Sequence, residues 1–243
     1  MKTLTIRLTA PLQSYGNEAS FSRRTSSDHP SKSAVIGMIA AALGYHRDDP
    51  RILTLNDLSF AVRVDQAGKS LTDYQTVEWK KDTRKVTYRD YLQDAVFVAA
   101  LGSDDEQLID RIAEALKRPK FQLFLGRRSN APAGTLKVSV FKDDNPVSVL
   151  SDLPWEASKW YQKRQKKSEL IKNVEIIGDA DLMPNKRSSM IKDRVESFDQ
   201  RNRQHGYRAV AVETINLKNP SFAKDQTEID DEPETKHDIM DHL

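Results

Sequence analysis

The chain contains no cysteine, which excludes disulfides, thiolate metal ligands and cysteine nucleophiles together. Histidine is sparse: His29, His46, His205, His237 and His242 are scattered without metal-ligand spacing, so no metal or other cofactor is expected. No apolar run reaches the roughly 18 residues needed to span a bilayer. The alternating pattern begins at Leu4 with no charged-then-apolar signal segment ahead of it. The expectation is a cytoplasmic chain with no membrane partner and no small-molecule substrate.

Charge of one sign is nearly balanced by the other, with a formal net of +2 over 243 residues. The balance hides an asymmetry. Residues 225–243 carry eight acids against Lys236, which leaves 37 basic and 28 acidic side chains in residues 1–224, a net of +9. A basic body of this kind suits a polyanion. The acidic tail at 225–243 has few large apolar residues and is expected to be disordered.

Leu4, Ile6 and Leu8 alternate with polar residues and predict a strand over 4–8. A helix follows over 33–43, nearly apolar all round, with Ser31 or Ser33 as N-cap and Gly44 as its stop. Phe60, Val62 and Val64 predict a second strand, and the unbroken apolar run at 95–101 a third, more central one. Ser103 and Glu106 form a capping box for an amphipathic helix whose buried stripe holds Leu108, Ile109, Ile112, Ala113 and Leu116, and which Pro119 ends. A last strand is expected over 121–125. Strand, helix, strand, strand, helix, strand is the ferredoxin-like βαββαβ order of an α+β, RRM-like domain, here over residues 1–130. A smaller β-rich region is expected over 131–224, with strands near 136–141, 173–177 and 207–217. A strongly basic stretch lies at 159–172.

Residues 71–91 are not core-like. Val77 and Trp79 on one arm and Val86 and Tyr88 on the other predict a projecting β-hairpin with a polar tip. Lys80, Lys81, Arg84 and Lys85 at the tip could follow a phosphate backbone, with Arg89 at the base. Tyr74 and Tyr88 could stack on unpaired bases.

Four segments together resemble one family: LTAPLQSYG (8–16), PSKSAVIGMIAAALG (30–44), TYRDYLQDAVFVAAL (87–101) and FLGRRSNAP (124–132). In this order they are similar to the fifth CRISPR-associated protein family, in the CasD-type branch that serves type I-E Cascade complexes. The resemblance covers residues from about 4 to about 132. It implies an RNA-binding subunit with a hairpin thumb that caps the repeat-derived 5′ handle of the CRISPR RNA (crRNA). It also implies contacts with the backbone and large subunits of a ribonucleoprotein complex, with target DNA nearby, in antiviral defence. Such a subunit is non-catalytic; the alternative is a metal-independent endoribonuclease, as in type I-C relatives.

On the residues themselves, Gln13, Ser14 and Tyr15 lie in a loop beside the helix that opens with Lys32 and Ser33. That helix start predicts a phosphate site reinforced by Arg23 and Arg24. Gly126 permits a tight turn in front of Arg127, Arg128 and Ser129, which completes the predicted RNA-binding set. His29 near Lys32 and His46 beside Arg47 are the candidate general bases for ribonuclease chemistry, neither with a partner visible in sequence.

Overall fold

The computed structural model describes residues 1–16, 22–142 and 144–222, the side chain of Trp79 excepted. The acidic segment expected to be disordered lies outside the described residues. Along the chain run β1 (Lys2–Thr9), β2 (Leu12–Gln13), β3 (Arg23–Arg24), α1 (Lys32–Leu43) and α2 (Arg51–Thr54). Then come β4 (Ser59–Gln66), β5 (Lys69–Lys80), β6 (Thr83–Gln93), β7 (Val96–Ser103) and α3 (Glu106–Lys117). The rest is β8 (Lys137–Phe141), α4 (Pro146–Asp152), α5 (Lys159–Arg164), β9 (Leu170–Asp179), β10 (Ser188–Ser197) and β11 (Gln204–Lys218).

Seven strands form one antiparallel sheet in the order β10-β11-β9-β4-β7-β1-β8. One face carries α1 and α3, packed on Leu4, Ile6, Leu8, Phe60, Val62, Phe97, Ala99 and Leu101. The other face carries α4 over Ala61, Val98, Ala100, Ile176 and Ala211. Strand β7 is thus covered on both sides, which is why its sequence is an unbroken apolar run. α1 is apolar all round because its residues meet the sheet, α3 and the β10 region together. It starts at Ser31, whose Oγ accepts the Ala34 N–H at 3.3 Å, and stops at Gly44 in the left-handed region at φ 81°.

Three expectations are corrected. Residues 121–125 form a loop, and the strand beside β1 is β8, twelve residues further on than Leu125. The N-cap of α3 is Asp105, which accepts the Leu108 N–H at 3.0 Å, while Ser103 Oγ accepts from Asp105 N–H at 3.1 Å; no Ser103–Glu106 capping box forms. An aspartate one residue before the helix outcompetes the serine because its carboxylate also favours the positive dipole end. Residues on both sides of 130 share the one sheet, since β8 pairs with β1 and β9 with β4. Strand β10 was not expected at all.

The hairpin at 71–91 is present and slightly longer, as β5 and β6 paired from Lys69–Gln93 to Lys80–Thr83, with Asp82 turning at φ 62°. Its base is stitched to the body by β2 and by β3, which runs parallel to β6 at Tyr88 and Arg89. No helix among the described residues is long and apolar enough to cross a membrane.

A candidate nucleic-acid interface

A cleft of about 740 Å³ opens between the first turns of α1, the loop after its C-terminus, the 121–128 loop, Arg24 and the β10–β11 turn. Each wall has a local cause. Gly44 releases the chain from α1, and the N–H groups of Lys120 and Phe121 donate to the carbonyls of Ala42 and Ala41 at 3.0 and 3.1 Å, pinning the 121–128 loop to the helix end. Residues 125–130 close on themselves: Leu125 N–H donates to Asn130 O at 2.8 Å and Asn130 N–H to Arg127 O at 2.9 Å. Ser14 N–H donates to Leu125 O at 3.2 Å, so the predicted loops 13–15 and 124–129 lie side by side. Gly126 is required there, because at φ 92° a Cβ would fall 1.7 Å from the Ser14 carbonyl oxygen.

Five arginines line the cleft (Arg24, Arg47, Arg127, Arg128 and Arg203), with His46 and His205, and no carboxylate lines it among the described residues. Arg203 is held below the usual arginine range by burial and by the like charge of Arg47. Its guanidinium lies 5.5 Å from the Phe198 ring centroid. His205 is likewise pushed below its ordinary value of 6.5 by burial first and then by Arg203. Its ring meets Phe198 edge-on at 6.2 Å, as His46 meets Phe121 at 5.3 Å. The Arg127 guanidinium stacks 4.6 Å over Tyr91 and donates through Nη2 to Arg24 O at 2.9 Å, leaving a buried Nη1 with no partner among the described residues. Clustered cations with one unspent donor raise the local potential for a polyanion.

The cleft gathers Ser14, Tyr15, Arg24, Ser33, Gly126, Arg127 and Arg128 of the predicted set. Through β3 it continues into the hairpin, where Tyr74 and Tyr88 form a cross-strand pair, 69% and 47% exposed. Arg23 is exposed and 3.7 Å from Asp90, Arg84 is 3.5 Å from Glu78, and Lys80, Lys81 and Lys85 are exposed near the tip. Arg89 is partly buried, its Nε without a partner among the described residues. Ser129 is exposed and donates to Asn130 Oδ1 at 3.1 Å.

Other predicted residues are spent inside the protein. Lys32 is buried, its Nζ 3.2 Å from Asp179 and its N–H donating to Asp193 at 2.8 Å. Arg208 closes the network on both aspartates at 2.6 and 2.8 Å. The anion site expected at the start of α1 is therefore filled by the protein's own carboxylate. Gln13 is fully buried, donating to Ala95 O at 2.7 Å and accepting from the Tyr15 hydroxyl at 2.6 Å, so both hydrogen-bonding side chains are satisfied inside the protein although Tyr15 borders the cleft. Ser14 Oγ is turned inward to Asp90 O at 3.0 Å. His29 pairs with its neighbour Asp28 and does not line the cleft. Missed by sequence reasoning were Arg203, His205 and Phe198, and Arg47 was singled out only as the neighbour of His46. The basic stretch 201–205 between two strands was a usable signal for the turn, though not for what it faces.

A cation-lined cleft beside an aromatic-bearing hairpin has the chemistry that suits a polyanion. The family model described as "CRISPR-associated protein (Cas_Cas5)" matches residues 3–211, and the chain belongs to this family. It is similar to the CRISPR system Cascade subunit CasD of Escherichia coli strain K12, with 32% identity over 60% of this chain and 75% of that one. It resembles a chain of a CRISPR RNA-guided surveillance complex, with TM-score 0.70 and 28% identity over 89% of this chain and 91% of that one. A solved Cas protein matches with TM-score 0.64 and 27% identity, over 89% and 95%.

Proposed function

We propose that this protein is the subunit of a type I-E Cascade complex that binds and caps the repeat-derived 5′ handle of the crRNA, without cutting it. The observation that carries the reading is the cleft of five arginines with no described carboxylate, joined through β3 to the hairpin. In this reading β8-β1-β7-β4 with α1 and α3 is a ferredoxin-like unit and the hairpin is its thumb. The arginines hold phosphates of the single-stranded handle, Tyr74 and Tyr88 stack on splayed bases, and the cations at the tip reach the neighbouring nucleotides. The backbone and large subunits of the complex pack beside the thumb, with target DNA nearby.

The alternative is a metal-independent endoribonuclease, and it rests on His46 and His205 lining the same cleft. A neutral imidazole beside guanidinium groups has the chemistry to take a 2′-hydroxyl proton while the cations meet the phosphorane charge. Each ring instead packs edge-on against a phenylalanine. Two measurements separate the readings. Co-expression with repeat-spacer RNA and the neighbouring subunits, followed by crosslinking, should join the handle to residues 71–91, 124–130 and 198–205; handle crosslinks elsewhere sink the clamp. Incubation with repeat RNA in a chelator should leave it whole, and site-specific cleavage lost on His205→Ala establishes the enzyme.

A further inference from the structure

The basic stretch 159–172 forms a corner that the cleft does not use. Its helix α5 has only six residues, yet it is firmly anchored. Gln162 Nε2 donates to the carbonyls of Trp155 and Ala157 at 3.1 and 3.0 Å, and Asn219 Nδ2 donates to those of Gln162 and Gln165, both at 3.1 Å. Trp155, Ala157, Val174 and Leu217 pack beneath as a separate small core. On this support Lys159, Lys163, Arg164 and Lys167 are all exposed. Lys163, Arg164 and Lys167 make no ion pair among the described residues, and residues 159–172 contain six bases against the single acid Glu169.

A charged helix turn on its own is ordinary solvated surface. The second observation is Trp160, 51% exposed and one helical turn before Arg164. Its ring stands perpendicular to Tyr161 at 5.6 Å and is half exposed to solvent. A half-exposed indole on a helix that also carries exposed basic side chains matches an unpaired strand, whose bases stack while its phosphates meet the charges. A duplex offers no base face to such a residue.

We infer that the α5 corner is a second nucleic-acid surface, taking a single strand other than the segment held in the cleft. The two sites lie at opposite ends of β11: His205 lines the cleft and Leu217 supports the corner. Twelve positions of strand separate them, on the order of 40 Å at about 3.3 Å per residue. One short strand segment cannot be read by both at once.

The test uses the full chain and an oligothymidylate of about twenty nucleotides, followed by tryptophan fluorescence and by anisotropy. The protein carrying Arg47→Ala and Arg203→Ala should still bind the probe and show quenching. Replacing Lys163, Arg164 and Lys167 by alanine should weaken it at least about tenfold near 0.1 M salt and lower the log-log salt slope by about 2, from roughly 0.7 per phosphate contact on a single strand. Trp160→Phe should abolish most of the quenching with the circular dichroism unchanged. Failure of the unaltered protein to bind, an unchanged affinity in the triple variant, quenching that survives Trp160→Phe, or equal Trp160 quenching by a duplex would each overturn the inference. Loss of handle binding in the Arg47/Arg203 variant bears on the cleft alone, so the two readings fail separately.

Discussion

The backbone N–H of Lys32 donates to Oδ2 of Asp193 at 2.8 Å, closing the start of α1 with a carboxylate 161 positions further along the chain. The same carboxylate accepts from Arg208 at 2.8 Å, so buried Lys32, partly buried Arg208 and two buried aspartates share one network of balanced charge. Removing one member of such a set leaves a buried charge unmatched. Asp193→Ala should therefore cost about 3–5 kcal/mol in a urea denaturation series. Handle affinity, corrected for the folded fraction, should stay near that of the unaltered protein. A large specific loss of RNA binding would mean that this network, and not the arginine cleft, meets the guide.

Gly126 and Gly134 form a controlled pair. Both have positive φ, at 92° and 80°, but only Gly126 faces a backbone atom; a Cβ at Gly134 meets nothing within 4 Å. Gly134→Ala should cost about 1 kcal/mol of stability, from conformational strain alone. Gly126→Ala should push the 124–128 loop off Ser14 and lower handle affinity more than about tenfold, roughly 1.4 kcal/mol. Equal behaviour of the two variants in an RNA titration would detach this loop from binding.

Arg203 is expected to separate stability from function. Its side chain is exposed, so partial burial and the like charge of Arg47 weigh only weakly on stability, and Arg203→Ala should leave the midpoint of thermal unfolding near that of the unaltered protein. The same variant should weaken handle binding by about 1.5–3 kcal/mol, the range for hydrogen bonds to charged groups. Lowered stability with unchanged affinity would assign Arg203 to the scaffold.

His205 should couple binding to protons. In the free protein its pKa lies below 6.5, so the unfolded chain binds the proton more tightly and stability falls as pH drops from 6.5 toward the folded value. A phosphate in the cleft adds negative potential and raises that pKa. Between the free and bound values the complex carries more proton, so handle affinity should strengthen as pH falls through that window. His205→Ala should flatten this dependence in anisotropy titrations. A slope of the opposite sign would show that no phosphate lies near the ring.

Tyr74 and Tyr88 are exposed on one face of the hairpin, away from any core. Replacing both with alanine should alter stability by no more than about 0.5 kcal/mol. Each lost base stack should cost about 1–3 kcal/mol of handle binding. If the double variant binds RNA normally within the assembled complex, the hairpin acts on a protein neighbour instead.

Much of the fold was legible because its signals are local. The two-residue alternation of β1 and β4, the serine cap and glycine stop of α1, and the stripe on α3 each lie within about a dozen neighbours. The loop at 121–125 was misread because Phe121, Leu123 and Leu125 alternate like a strand, with Leu123 and Leu125 buried and Phe121 exposed against His46. What holds them is two N–H bonds to the end of α1, a partner that alternation cannot reveal. The tight turn at Gly126 was legible from one short motif, and the cleft wall it forms carries Arg127. Lys32 was misassigned by the same kind of reasoning, because the carboxylates that claim it come from β9 and β10.

Sequence alone determined the elements around the core, the projecting hairpin and the family, all of which depend on neighbouring residues and motif order. Which cations remain available was decided only by the tertiary structure. Arg47 and Arg203 stand together at the cleft although nearly two thirds of the chain lies between them, whereas Lys32 and Arg208 are neutralised inside. A charge is free or spent according to what the fold places within about 4 Å of it, and separation along the chain carries no record of that distance.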